Sequence, residues 1–549
     1  MRSIVHRLCG MLHGRQSYPE TAAAPVEPKT LSNPRIVRAL IALGIANLLL
    51  VLPLWWRDGA WGSAWLVPEL ALLPLLGLWP AVRRSRWLPW LVAGGLTLAF
   101  AALLGDALVR AVFSRPLNIL LDPWLLRAGF NLLQGSLGTP AAISAALLAA
   151  AGIAGTFLGM RALVERALAP IPVRAASGVA VVGVVALSAS LLGRVEIVRP
   201  ALVSLVHDQA GQVSATLAER EALLARAGSA RMKAQAIPAL EGRDVVMVFV
   251  ESYGVSALDQ PRYAEVLKPI LARAERNLSE AGLSAISARM ESPIRGGQSW
   301  LSHATVLSGQ RIDNDYWYSL VLDAGQDFLT DDFRATGHTP LVVAPAIVQP
   351  WPEAGALGFE AVYPAEALDY AGPASGWVGI PDQYTLHRYG RHLRPRHAGP
   401  VFSVLMLISS HAPWSPGPSL LDEWDRLDSA EPWPDWTAPE KDPLAYWRDT
   451  DRLRDRYPQS LAYTLEAVFE WAARDLPEDA LLIVLGDHQA APLITGHDAG
   501  SGVPVHFISG DTEILSGLEP LGTGAGLVLP AERAEEVGLR NIRFLLRKI

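Results

Sequence analysis

The chain has 549 residues, half of them hydrophobic, and a formal net charge of −7 at pH 7. Its length exceeds one ordinary domain, and the acidic balance lacks the basic footprint that nucleic-acid binding needs, so no nucleic-acid partner is expected. The single cysteine, Cys9, excludes any intrachain disulfide, so a soluble domain in this chain must be held by its hydrophobic core.

Apolar residues concentrate before about residue 195. A span needs about 20 predominantly apolar residues, and five are predicted at 36–55, 62–82, 87–106, 140–160 and 174–193. The first starts late and further spans follow it, so it is read as an anchor and not a cleaved signal peptide. Arg2, Arg7, Arg15, Lys29 and Arg35 precede the first span, Arg83, Arg84 and Arg86 follow the second, and Arg161, Arg166 and Arg174 follow the fourth. These alternate loops are the basic ones, which makes them cytoplasmic. An odd number of spans then carries everything after residue 194 out of the cytoplasm. The longer outer loop, 107–139, contains Leu117, Ile119, Leu120, Leu121, Trp124, Leu125 and Leu126. That pattern suits an interfacial helix or a short re-entrant packing element.

The expected organisation is a cytoplasmic segment 1–35, a transmembrane domain 36–193, a helical linker 194–243 and a soluble domain 244–549. The linker carries one amphipathic helix, roughly 205–233. Beyond it, predicted strands at 244–251, 283–288, 339–344, 401–409, 480–485 and 503–508 alternate with predicted helices at 261–279, 299–308, 326–336, 381–393 and 459–474. This alternation indicates a mostly parallel sheet covered by helices on both faces. The stretch from Pro413 to Trp447 interrupts it with prolines, acidic residues and Trp414, Trp424, Trp433, Trp436 and Trp447, and reads as a long loop over the site or against the bilayer.

Two apolar strands end abruptly in ionisable groups, 244–250 in Glu251 and 481–486 in Asp487 and His488. Ligands bind at the carboxyl edge of open α/β sheets, so these residues converge there and offer two carboxylates and an imidazole to a divalent cation. Such a mostly oxygen ligand set suits manganese or magnesium, with zinc also possible. Between them lies Arg295-Gly-Gly-Gln-Ser-Trp-Leu-Ser302. Glycines before a hydroxyl residue at a helix start suit a nucleophile, because the helix N-terminus stabilises negative charge. Ser299 is the candidate, Ser302 its rival, and a simple N-cap the alternative role for Ser299. A serine hydroxyl is a weak nucleophile near neutral pH unless a base or metal activates it, which the Glu251, Asp487 and His488 group could do. His411, at the end of another predicted strand, could contact a phosphate oxygen or protonate a leaving alkoxide, or be an ordinary loop histidine. His497 could be a further phosphate contact or structural. Asp382 is expected to cap the helix that follows it.

Glu251-Ser-Tyr, Gly297-Gln-Ser-Trp300, Ser409-Ser-His-Ala-Pro413, Gly379-Ile-Pro-Asp382 and Gly486-Asp-His488 resemble motifs of the sulfatase-like alkaline phosphatase superfamily. With spans in front, the chain is similar to its membrane-anchored lipoteichoic acid synthase and phosphoglycerol transferase branch. The resemblance implies one divalent ion, usually manganese, on Glu251, Ser299, Asp487 and His488. It also implies a phospho-enzyme on Ser299, His411 against the headgroup phosphate, and transfer of a phospholipid-derived headgroup from a phosphatidylglycerol-like donor to a glycan or lipid acceptor outside the inner membrane of a bacterium.

The sequence departs from that pattern in places. The family's Trp-x-Arg motif corresponds here to Trp351-Pro-Glu353, which keeps the tryptophan and loses the arginine; Arg295 or Arg311 could supply the charge. The position of a sulfatase's formylglycine precursor is held by Glu291, which argues against a true sulfatase. Related phosphoethanolamine transferases usually carry several disulfides, which this chain cannot form. A phosphodiesterase or phosphatase of the same superfamily, and a non-catalytic lipid sensor, remain as other readings.

Overall fold

The computed structural model describes residues 33–58, 65–113, 115–192, 198–229, 232–373, 379–429, 432–433, 436, 447–518, 523–531 and 537–549. Arg2, Arg7, Cys9, Arg15 and Lys29, the first residues of the predicted linker and much of the tryptophan-rich stretch lie outside them.

Four helices among the described residues are long and apolar enough to cross a membrane: α1 (Pro34–Asp58), α2 (Leu88–Phe113), α4 (Thr139–Ala167) and α5 (Val173–Leu191). The second predicted span is not a continuous helix. Pro68, Pro74 and Pro80 open three short helical pieces, Pro68–Leu72, Leu73–Leu76 and Pro80–Arg84. Proline has no N–H to continue a ladder and clashes with the preceding turn, so it starts helices and breaks them. The broken segment still runs from one end of the bundle to the other. Leu66 pairs with Val198, just beyond α5, while Gly77 lies against the backbone of Leu168 between α4 and α5. The expectation of five spans thus becomes four continuous helices and one interrupted segment.

The loop 107–139 is pinned by buried charge. Asp106 accepts from Arg110 at 2.9 Å and from the Leu117 N–H at 2.9 Å, and Arg115 forks onto Asp122 at 2.9 and 2.6 Å. The loop leads into α3 (Leu125–Leu137), so the apolar pattern Leu117–Leu126 that suggested an interfacial or re-entrant element is mostly non-helical and precedes the helix. Helix α6 (Ala201–Ser229) then leads away from the bundle, with Gln209 and Thr216 bonded to Leu117, Ile119 and Asn118 of the loop.

The soluble domain contains, in order, β1 (Val245–Val250), α7 (Pro261–Glu280), β2 (Ser284–Glu291), α8 (Ser299–Ser308), α9 (Asp315–Asp323), α10 (Leu329–Ala335), β3 (Thr339–Ala344), β4 (Ala361–Pro364), α11 (Asp382–Arg388), β5 (Val401–Met406), α12 (Thr450–Asp475), β6 (Leu481–Gly486), β7 (Gly502–Ser509), β8 (Gly524–Ala525), β9 (Val537–Gly538) and α13 (Ile542–Leu546). The sheet has the order β4-β3-β5-β1-β6-β7-β2-β8, with β9 on β2. Strands β4 through β6 are parallel, β7 is antiparallel to both neighbours, and β2 therefore points the same way as β1 and β6.

β1 and β6 are buried on both faces, as their unbroken apolar runs require. Val246, Val248 and Val250 enter one core layer, and Val245, Met247 and Phe249 the other. Every predicted strand is present within a few residues. The short β4 and α9 were not predicted. β4 has four residues and little alternation; α9 is opened by Asn314, whose side chain accepts the Trp317 N–H at 3.0 Å.

The C-terminus is fastened by a fully buried ion pair. Arg543 forks onto Asp332 at 2.8 and 3.0 Å, and Arg547 meets the same carboxylate at 3.0 and 2.7 Å. Removing one partner of such a pair leaves a buried charge uncompensated. Asp332→Ala, which leaves the fully buried Arg543 without a counter-charge, is therefore expected to cost about 3–5 kcal/mol in denaturant unfolding of the detergent-solubilised protein. A loss below about 1 kcal/mol would show the pair to behave as a solvated one.

Candidate active site

Because β1, β2, β5 and β6 all point one way, the segments leaving them meet at one edge. Val250 is in register with Gly486, so Glu251 and Asp487 emerge side by side. Ser252 turns at once into the left-handed region, φ 59°, a conformation costly for a residue with a Cβ. Asp487 Oδ1 accepts its N–H at 2.8 Å, and the Tyr457 hydroxyl donates to its carbonyl at 2.9 Å, which holds the turn. The same Oδ1 accepts the His488 N–H at 2.6 Å. Beyond β2, Ser292 Oγ donates to the Asp487 carbonyl at 2.6 Å and the Gly296 N–H to that of Gln489 at 2.9 Å. The loop carrying the candidate nucleophile is thus tied to the turn carrying Asp487 and His488.

Gly296 (φ 79°) and Gly297 (φ 137°) require glycine's freedom, and Gln298 (φ 70°) completes the left-handed run into α8. Ser299 is the first residue of that helix. Its Oγ donates to Glu251 Oε2 at 2.8 Å and lies 3.2 Å from His488 Nε2. His488 Nδ1 donates to the Gln489 carbonyl at 2.9 Å, so the neutral imidazole keeps its proton on Nδ1 and turns the Nε2 lone pair to Glu251 and Ser299. Ligand atoms of Glu251, Asp487 and His488 all lie within 4.8 Å of one another, and all three side chains are buried. Two buried carboxylates around an oriented imidazole lone pair fit a divalent cation, and Ser299 Oγ is within reach of the same centre.

The electrostatics carry the mark of this crowding. Burial, and then the charge of Glu251, push Asp487 up to about 8. Burial opposes the charge on His488, but Asp487 and Glu251 outweigh it and raise the imidazole to about 9. Burial acts upward on Glu251 as well, yet His488 and His411 hold it below the usual carboxylate range. A bound cation replaces the shared protons by a fixed positive charge.

The other residues singled out from the sequence are dispersed. Ser302 is fully buried and faces Ser292 Oγ at 3.5 Å, away from Glu251. His411 is half-buried beside the cluster, close enough for its charge to act on Glu251, with Nδ1 donating to the Ala412 carbonyl at 2.6 Å. Arg295 is buried and spends its guanidinium on Thr495 Oγ1 and the carbonyls of Gly496, His497 and Ala499. Arg311 pairs with Glu291 at 3.2 Å and Asp313 at 3.5 Å. His497 is exposed, and Trp351 packs against the core layer holding Trp317.

Asp382 caps nothing; Pro381 is the N-cap of α11. Its buried carboxylate instead accepts the N–H groups of Ile408 at 2.9 Å and Ser409 at 3.1 Å and the Thr464 hydroxyl at 2.7 Å, which pins the loop that carries His411. Ser410 Oγ, donating to the Glu251 carbonyl at 2.7 Å, and Tyr457 were not singled out from the sequence as supports. Both act on backbone, and a hydroxyl in a loop or helix carries no signal of that.

The membrane domain reaches this edge. A Cβ on Gly296 would stand 2.4 Å from the carbonyl of Val112 at the end of α2, so glycine is also required there by close approach. Trp300, next to Ser299, meets Trp124 of the loop 107–139 edge-on, ring centroids 6.0 Å apart.

A carboxylate and imidazole cluster thus stands beside a helix-start hydroxyl at the carboxyl edge of this sheet. No protein-family model and no curated protein matches the sequence. Among solved structures, the chain is similar to the lipoteichoic acid synthase LtaP from Listeria monocytogenes, with 12% identity over 57% of this chain and 74% of that one and a TM-score of 0.35. It is also similar to the C-terminal periplasmic domain of EptC from Escherichia coli, with 12% identity over 57% and 84% and a TM-score of 0.36. A third is the Streptococcus pyogenes phosphoglycerol transferase GacH in complex with sn-glycerol-1-phosphate, with 13% identity over 53% and 74% and a TM-score of 0.32.

Proposed function

We propose that this protein is a membrane-anchored, metal-dependent phosphotransferase that moves a phospholipid headgroup to an acceptor outside the cytoplasm. The donor we favour is phosphatidylglycerol-like, the group transferred phosphoglycerol, and the acceptor a glycan or lipid hydroxyl. The observation that carries the reading is Ser299 Oγ held 2.8 Å from Glu251 and 3.2 Å from His488 Nε2 at a helix start, beside Val112 and Trp124 of the membrane domain.

Ser299 Oγ attacks the donor phosphorus, and the bond to the diacylglycerol oxygen breaks. The serine proton passes to Glu251, which already accepts it in a hydrogen bond, and His411 protonates the departing alkoxide. A phosphodiester of Ser299 with glycerol remains. The acceptor hydroxyl then attacks the same phosphorus, its proton is lost to the site, and Ser299 is regenerated. A divalent cation on Glu251, Asp487 and His488, manganese in our reading, supplies charge stabilisation for the serine oxygen and the phosphoryl oxygens. The free N–H groups of the first turn of α8 face the same negative charge.

The test is product analysis by mass spectrometry with headgroup-labelled phosphatidylglycerol, with and without a glycan acceptor. Label on the acceptor together with diacylglycerol supports transfer. Label released only as free glycerol phosphate makes the protein a phosphodiesterase, and unchanged lipid with intact metal content overturns the reaction.

The site must also face the donor's headgroup outside the cytoplasm. Reporter fusions after residues 84 and 167 are expected to read cytoplasmic and one after residue 240 exported. A cytoplasmic signal at 240 would remove the substrate from reach.

A further inference from the structure

A second group of metal-type ligands lies apart from Ser299, where α11 runs on into a π turn, Tyr389–Leu393. His387 and His392 are five residues apart. On an α-helix that spacing separates two side chains by about 140°, but a turn closed from i to i+5 brings them to one side, and such π insertions concentrate at functional sites. Both imidazoles converge on one oxygen. His387 Nε2 lies 3.1 Å and His392 Nε2 2.7 Å from Asp428 Oδ1, and ligand atoms of all three residues fall within 4.8 Å of one another.

Ordinary hydrogen bonding accounts poorly for this arrangement. The His387 side chain is 1% exposed, yet neither of its buried ring nitrogens has a hydrogen bond of acceptable geometry. A buried polar group left so is costly, and it asks for a partner. The surrounding cations do not provide one: Arg391 and Arg474 turn to Asp425, at 3.1 and 3.6 Å, and the Arg474 guanidinium lies over Trp424.

We propose that His387, His392 and Asp428 form a zinc site, separate from the catalytic cluster, with a water as fourth ligand on its exposed side. Two imidazoles and a carboxylate match zinc's preferred donors. Bonds of about 2.0–2.1 Å in a tetrahedron set ligand atoms about 3.3 Å apart. The His387 and Asp428 pair is 3.1 Å apart already, and His392, 36% exposed, has room to open its 2.7 Å contact by the remainder.

The site joins two segments distant in sequence. Asp428 ends the short helical piece Trp424–Asp428, whose Trp424 and Leu427 are buried in the core. Upstream, the Gln383 amide bridges to Leu421 with bonds of 2.7 and 3.0 Å. An ion here fastens the start of the tryptophan-rich excursion to α11. It acts as a cross-link in a chain whose single cysteine allows no disulfide. The inference does not depend on the reaction proposed above.

The test uses the full chain in detergent with the catalytic cluster disabled by Glu251→Gln and Asp487→Asn together. After chelation and dialysis against zinc, elemental analysis should find one equivalent per chain, and Co²⁺ in its place should show the visible absorption of a four-coordinate ion. His392→Ala and Asp428→Ala, both at partly exposed positions, should each weaken zinc binding at least about a hundredfold, beyond what loss of an outer-shell partner costs. Zinc should also raise the thermal midpoint of the disabled protein and fail to do so in His392→Ala. No zinc in the disabled background, or equal zinc binding with and without His392, overturns the site.

Discussion

Ser299→Ala is expected to abolish the phospho-enzyme and to lower turnover by at least about a thousandfold, the scale of losing a covalent nucleophile. Ser302→Ala is expected to retain most activity. The two hydroxyls are one helical turn apart, and the structure separates them by surroundings. Ser299 Oγ lies 2.8 Å from a Glu251 oxygen, whereas Ser302 is fully enclosed and faces only Ser292. Ser299 also stands at the first residue of α8, where backbone N–H groups have no helical partner and can meet phosphoryl oxygens. The substitution removes a half-buried hydroxyl and no core packing, so the thermal midpoint should change little, and Glu251, Asp487 and His488 remain to hold the cation. That contrast distinguishes a chemical role from a structural one. Labelled donor is mixed with enzyme, quenched and mapped by peptide mass spectrometry. Label on Ser302, or a turning-over enzyme with no label on Ser299, defeats the assignment.

What could be read from the sequence was set by how local the determining physics is. β1 and β6 announce themselves because a strand buried on both faces must be apolar throughout, and an acid at its end is then conspicuous. Glu251, Asp487 and His488 were visible for that reason, and Ser299 through the glycines that turn the chain before it. The second span was misjudged as one helix because its composition is apolar and only its three prolines carry the break. Arg295 and Arg311 carry charge that suits a phosphate, but their actual partners, backbone carbonyls across the loop and nearby carboxylates, are fixed by tertiary contact. Asp382 shows the same limit: its position predicts a cap, and only the approach of β5's exit loop makes it a clamp. The His387 and His392 pair falls on no helical face by ordinary periodicity, so a π turn hid it.

The second large effect concerns charge at the cluster. Asp487→Asn keeps an amide oxygen able to accept the Ser252 and His488 N–H groups, now at 2.8 and 2.6 Å, so the turn should survive while the ligand charge is lost. Metal affinity should fall by more than about a hundredfold, since even outer partners of a ligand are worth 10–100-fold, and activity should go with it. The metal-free protein supplies an independent reading. Asp487, ordinarily near 3.8, is raised to about 8 by burial and Glu251, and His488, ordinarily near 6.5, to about 9 by the carboxylates overcoming burial. Both folded values are raised, so the folded state binds more protons than the unfolded one, and stability must fall as pH climbs. From about pH 6.5 to 8 both groups contribute with the same sign, and from 8 to 9 mainly His488, while Glu251, held low, stays ionised throughout. The metal-free wild type should therefore lose thermal midpoint across that window, and metal should restore more of it at the upper end, where both ligands are already free of protons. In Asp487→Asn the decline should flatten, because the carboxylate that titrates is gone and His488 has lost the larger of the two charges that raise it. A metal-free wild type whose midpoint rises from pH 6.5 to 9, or an Asp487→Asn protein that holds the ion as tightly as wild type, would show that these side chains are not gathered around a cation.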